Sequence, residues 1–199
     1  MNNAYNRIAR IARVTAGIVT ALCVTPVFAH PGHDHAAFSL VAGFAHPFSG
    51  LDHLLAFSAI GLWAAQYRRS AAWGLPLLFL LVMALGAVAG VAGIALPGVE
   101  MGIAASVVVL GLLLAFAFRI PLWASALLVT AFASLHGYAH GMELPQGASA
   151  GLYGLGFIVA TALLHLAGLA LGKGFARKLV PAIGAAIAAS GVYLLALIG

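Results

Sequence analysis

From about residue 37 onward the chain repeats one pattern: a long apolar stretch, a short break rich in proline, glycine or charge, then another apolar stretch. The stretches run approximately over 37–66, 73–96, 100–118, 121–141, 150–172 and 179–198. Breaks fall at Pro97-Gly98, Pro121, Pro145 to Gly147 and Pro181. Each stretch is close to the ~20 residues that a helix needs to cross the hydrocarbon of a bilayer. The pattern predicts an all-α integral membrane protein, a six-transmembrane-helix bundle over 30–199, with no soluble domain or long linker. Gly86/Gly90, Gly137/Gly141 and Gly168/Gly172 place small residues one helical turn apart, which predicts close helix packing in lipid.

Residues 1–29 read differently, as a cleavable signal peptide. Arg7, Arg10 and Arg13 form a positive start, an apolar run follows to about Val24, and Val27-Phe28-Ala29 supplies small residues for cleavage. Cleavage would leave His30 as the new N-terminus. Cys23, the single cysteine, would leave with the signal. The mature chain then has no disulfide and no soft thiolate ligand.

Composition and charge sharpen the picture. Hydrophobic residues make up 64% of the chain and charged residues 7%, against about 25% charged in a soluble domain. The net charge of +5 does not point to nucleic acid, because the Lys and Arg are scattered between apolar runs and form no basic stripe. Arg68, Arg69, Arg119, Lys173, Arg177 and Lys178 occupy alternate loops on one side, while the other loops hold Glu100 and Glu143. By the positive-inside rule the cationic loops are cytoplasmic, so the expected location is the bacterial inner membrane with a periplasmic mature N-terminus. Trp63, Tyr67, Trp73 and Trp123 lie beside those same loops, as an interfacial belt does.

Against this apolar background the ionisable residues are conspicuous, since each costs several kcal/mol in lipid unless it faces a bundle interior or a polar path. The first stretch carries His46-Pro47-Phe48-Ser49-Gly50-Leu51-Asp52-His53. His46 and His53 are two turns apart and share a face, and Pro47 with Gly50 predicts a kinked or unwound helix there. Broken helices are a recurrent way to build ion sites within a membrane. The fourth stretch carries His136-Gly137-Tyr138-Ala139-His140-Gly141-Met142-Glu143, with two imidazoles at the i, i+4 spacing that presents both to one metal. His30-Pro31-Gly32-His33-Asp34-His35, within a histidine-rich periplasmic N-terminus over 30–36, has a metal-capture composition. His165 stands alone in the fifth stretch, where a hydrogen-bonded packing role and a ligand role are both open. The candidate metal residues are therefore His46, Asp52, His53, His136, His140, Glu143, His30, His33, His35 and His165.

Imidazole with carboxylate suits borderline divalent ions, and ligand type alone leaves nickel, cobalt, zinc and copper(II) open. The motif His46-Pro47-x-x-Gly50-x-Asp52-His53 resembles the signature of the HupE/UreJ family of nickel and cobalt permeases, and His136-Gly137-x-Ala139-His140-Gly141-x-Glu143 is similar to that family's second block. The resemblance spans essentially the whole chain. It implies secondary transport of Ni²⁺, or Co²⁺, toward hydrogenase or urease maturation. It also implies that His46, Asp52, His53, His136 and Glu143 are transport residues.

On that reading the chain is not an enzyme, the metal is cargo rather than cofactor, and the expected partners are a divalent transition metal ion and the lipid bilayer. The N-terminal histidines would concentrate metal outside. The ion would pass Glu143 and His140, then His136 and His46, then Asp52 and His53, then His165. No Gly-x-x-x-x-Gly-Lys loop for nucleotide is present. Ligands must be deprotonated to bind, so uptake should weaken as pH falls through the histidine range, ~6.5. An intramembrane zinc-dependent hydrolase is the rival, but Gly137 stands where the zinc-peptidase pattern has Glu. A metal-binding accessory protein would keep the ligands without transport.

Overall fold

The computed structural model describes residues 35–198. The expected signal peptide over 1–29, and the candidate ligands His30 and His33, lie outside the described residues. Among those described, every regular element is helical: α1 (His35–Ser49), α2 (Leu51–Ala64), α3 (Arg69–Val91), α4 (Val99–Ala115), α5 (Leu122–Met142), α6 (Ala150–Lys173) and α7 (Val180–Ile198), with a 3₁₀ turn over Phe175–Leu179.

Four helical segments are long and apolar enough to cross a membrane: Ser70–Val91, Leu122–Met142, Ala150–Lys173 and Arg177–Ile198. The expected third span is shorter, at 17 residues. The expected first span, 37–66, is two helices of 15 and 14 residues divided at Gly50. Pro47 lies within the last turn of α1, where it cannot donate to the helix ladder. Gly50 is extended, with φ −104° and ψ 128°, and its carbonyl accepts from Leu54 to start α2.

The outward faces are apolar. Leu77, Leu81 and Leu85 form a stripe at i, i+4 spacing on α3, each more than three-fifths exposed. Water would penalise such a stripe and lipid would not. The interior is close-packed around Phe57, Ile60, Trp63, Phe79, Leu110 and Val129, all fully buried. The principal pairings are α3 with α5, α4 with α7, and α6 with both halves of the broken segment, α1 and α2.

The second motif explains one of these pairings. A methyl on Gly137 would overlap the carbonyl of Met83, and one on Gly141 the carbonyl of Ala87. The glycines therefore seat α5 directly on the backbone of α3. His136 and His140, each one position earlier, are turned about 100° away from that seam and into the core. The alternation of His and Gly is thus one helix with two jobs on adjacent faces.

At the other end of the bundle two aromatic side chains fix the α4–α5 connection. Trp63 donates its indole N–H to the carbonyl of Phe118 at 3.3 Å, and the Tyr67 hydroxyl reaches the carbonyl of Ile120 at 3.1 Å.

Candidate metal centre

The two sequence motifs meet. The ring of His46, from the end of α1, lies 5.7 Å from that of His53 in the first turn of α2 and 4.9 Å from that of His140 on α5. The rings of His53 and His140 are 4.4 Å apart. One ring nitrogen from each of His46, His53 and His140 lies within 4.8 Å of the others, a spacing that could hold one metal ion. His53 and His140 are buried and His46 is partly exposed. Glu143, just past the end of α5, closes the exposed side: its Oε2 is 3.4 Å from His46 Nε2 and 3.6 Å from His140 Nδ1. The imidazoles of His140 and then His46 hold its carboxyl well below the usual carboxylate range.

Asp52 does not join the ring of nitrogens directly. Its Oδ1 takes the Nδ1 hydrogen of His53 at 2.7 Å. In the neutral imidazole that leaves Nε2 as the lone-pair nitrogen, and Nε2 is buried with no hydrogen-bond partner among the described residues. A carboxylate behind a histidine fixes tautomer and ring orientation in just this way at metal sites. Gly50 makes room for the pair: a Cβ there would stand 2.5 Å from His53 Nδ1 and 2.6 Å from Asp52 Oδ1. Asp52 also sits in the first turn of α2, where the helix dipole favours a carboxylate. The break at Gly50 thus both interrupts the span and aims His53.

His136 is one layer deeper, fully buried, with its ring 5.5 Å from that of His53. Ser106 on α4 touches it: the Ser106 hydroxyl donates to the carbonyl of Ile103 at 2.7 Å, and its oxygen is 3.1 Å from His136 Nε2. A hydroxyl has one hydrogen, and Ile103 takes it, so Nε2–H of His136 is the donor. Its Nδ1 is then the lone-pair atom, again buried without a partner among the described residues.

His165 is apart from this set. Its Nδ1 donates to the carbonyl of Phe57 at 2.8 Å, and its ring meets those of Phe79 and Phe57 at 5.2 and 6.1 Å. Phe57 in turn packs on His136 at 5.2 Å, so phenylalanine separates the two histidines. His35 opens α1 three turns before His46. The expected route was a ladder along the bilayer normal; the geometry gathers its middle rungs, His46, His53 and His140, into one cluster with Glu143 on one side and His136 on the other.

Ser106, Tyr153 and Phe157 are neighbours of the cluster that sequence reasoning missed. Phe157 packs 4.0 Å from the His140 ring, and Tyr153 lies 6.0 Å from that of His46. Their signal was present: Tyr153, Phe157, Thr161 and His165 recur every four residues on α6, and all are buried. Ser106 had no signal beyond being a hydroxyl in an apolar helix.

The sequence profile described as HupE / UreJ protein matches residues 18–194. The chain is 44% identical over 179 residues to Protein HupE of Rhizobium leguminosarum bv. viciae, covering 88% of this chain and 94% of that one. No solved structure matches it. On a family match over residues 18–194, a range that contains both motif blocks, the chain belongs to the HupE / UreJ family.

Proposed function

We propose that this protein is a permease that carries Ni²⁺, with Co²⁺ as the alternative cargo, through the inner membrane into the cytoplasm for hydrogenase or urease maturation. Membership of the HupE / UreJ family supports transport rather than catalysis. The observation that carries the reading is the convergence of His46, His53 and His140 beside a helix break, with ligand atoms within 4.8 Å of one another. Imidazole nitrogens with a flanking carboxylate match a borderline divalent ion. On this reading Glu143 and His46 receive the ion at the exposed side, His53 and His140 hold it, and His136 offers the next lone pair inward. Asp52 keeps His53 in the ligating tautomer.

The remaining assignments follow from the same reading. The signal peptide over 1–29 is removed, and His30, His33 and His35 concentrate metal at a periplasmic N-terminus. The ion is cargo and no resident cofactor is needed. The membrane potential favours entry of a divalent cation by about 4.6 kcal/mol per 100 mV, twice the single-charge value.

The test is uptake of radioactive nickel by metal-starved cells expressing the wild type or Asp52→Asn at equal membrane levels. Loss of an orienting carboxylate typically lowers metal affinity or activity by about 10–100-fold, and uptake should fall within that range. Absence of uptake by the wild type would sink the nickel reading and turn attention to cobalt. Full uptake by Asp52→Asn would remove Asp52 from the mechanism.

A further inference from the structure

The opposite end of the bundle holds a second polar site of different charge. A cavity of about 530 Å³ opens among the ends of α2, α4 and α6 and the start of α7. Arg119 from the α4–α5 connection, Lys173 from the last turn of α6 and Arg177 from the 3₁₀ turn all line it, together with Gln66. The Gln66 amide nitrogen is buried with no hydrogen-bond partner among the described residues. Three cations and an amide donor therefore converge from separate elements.

Among the described residues no acidic side chain pairs with them. The chain has four acidic residues, Asp34, Asp52, Glu100 and Glu143. Asp52 and Glu143 belong to the histidine cluster. Glu100 begins α4, whereas Arg119 lies beyond that helix's far end, about 25 Å away at 1.5 Å per residue. The ion pairs found among the described residues all join a histidine to Asp52 or Glu143, and none involves an arginine or lysine. Lys173 offsets the dipole at the end of α6, but Arg119 and Arg177 lie in connections, where that explanation does not reach.

The cavity wall is also built. Trp63 and Tyr67 hold the connection that carries Arg119 by hydrogen bonds to the carbonyls of Phe118 and Ile120. Ala117, which lines the cavity, has φ +51° and is the one non-glycine with positive φ among the described residues. It closes α4 as a left-handed cap, with the N–H of Ala117 on the Leu114 carbonyl and that of Phe118 on the Leu113 carbonyl.

We infer that this cavity is a binding site for a phosphate-bearing anion, either the headgroup of an anionic phospholipid or free phosphate. Two guanidinium forks, an ammonium and an amide present donors and no acceptor charge, which suits a group with several anionic oxygens better than a two-oxygen carboxylate. The site lies among helix ends, and the exposed Trp73 and Trp123 stand near the starts of α3 and α5, as aromatic residues do at the level of phospholipid headgroups. Basic pockets between transmembrane helices are a known way to hold such headgroups. The proposal is independent of which metal the histidine cluster takes.

The test uses the purified full chain. Native mass spectrometry compares retention of phosphatidylglycerol and phosphatidylcholine, and thermal unfolding is followed with and without inorganic phosphate. The wild type should retain phosphatidylglycerol preferentially, and Arg119→Gln/Arg177→Gln should weaken retention by about fivefold for each cation removed. Lys178→Gln, next to the cavity but outside its lining, should behave as the wild type. If free phosphate is the ligand, it will raise the unfolding temperature of the wild type and not of the double variant, and the two lipids will be retained equally. Equal retention with no phosphate effect in the wild type overturns the site, as does a Lys178→Gln loss as large as that of the double variant. Should the double variant fail to fold, the wild-type comparison decides alone.

Discussion

Five histidines with described side chains lie in one bundle, and a layer of phenylalanine divides them. On the side of the broken helix, His46, His53, His136 and His140 meet one another ring to ring, with Asp52, Glu143 and Ser106 at their edges. On the other side of Phe57 and Phe79, His165 meets aromatic faces and a backbone carbonyl. His136 and His165 are both buried and both spend one nitrogen on a hydrogen bond. Burial therefore does not separate a ligand from a packing residue. What separates them is the company of the ring: His136 adds the imidazole of His53 at 5.5 Å to its phenylalanine neighbours, whereas the ring contacts of His165 are with Phe57 and Phe79.

The largest effect should come from the residue common to most of the contacts. His53 touches His46, His136 and His140, and it alone is aimed by Asp52. His53→Ala removes a ligand rather than its support, so nickel uptake should fall by more than the upper, ~100-fold, end of what an orienting residue costs. Uptake by His53→Ala above that of Asp52→Asn would reverse the roles assigned to the two residues.

A smaller effect is expected one layer deeper. Ser106→Ala leaves Nε2–H of His136 without its acceptor and frees the ring to change orientation. Uptake should fall about tenfold, the lower end of the range for orienting partners. The loss should appear in the nickel concentration needed for half-maximal uptake. Unchanged uptake kinetics would mean that His136 does not depend on this tautomer, and would move it to the packing side of the comparison.

How much of this contrast could be read without coordinates depended on the kind of interaction. The break at Gly50 was legible because proline and glycine act through local backbone chemistry. The pairing of His136 with His140 was legible because helical periodicity puts them on one face. That His46 should fall in contact with His140 was not, because it depends on how α1 and α5 are placed around α6 and α3. The same holds for Ser106, whose partner is 30 residues away in sequence. The role of Asp52 was only half legible: adjacency to His53 was plain, but the contact that makes it an orienting group needs the unwound turn to bring the side chains together. The third expected span, over 100–118, ends early, at Ala115, because Ala117 turns to positive φ and Phe118 carries its N–H back to Leu113.

The smallest expected effect tests the comparison from its quiet side. His165 was a candidate ligand by residue type, yet its Nδ1–H is committed to the Phe57 carbonyl, a link from α6 to α2. Asn carries its amide nitrogen on Cγ, as His carries Nδ1, so His165→Asn keeps that donor while removing the imidazole. Uptake should stay within about twofold of the wild type, and thermal stability should drop by about 1 kcal/mol at most, the worth of one hydrogen bond. His165→Leu, which removes the donor as well, leaves the carbonyl with its own helix alone and should lower stability further while still leaving most uptake. If His165→Asn instead loses as much uptake as His53→Ala, the phenylalanine layer is not the inner limit of the path. Phe57 and Phe79 would then be side chains that an ion must pass, and the division between the two regions would be a gate.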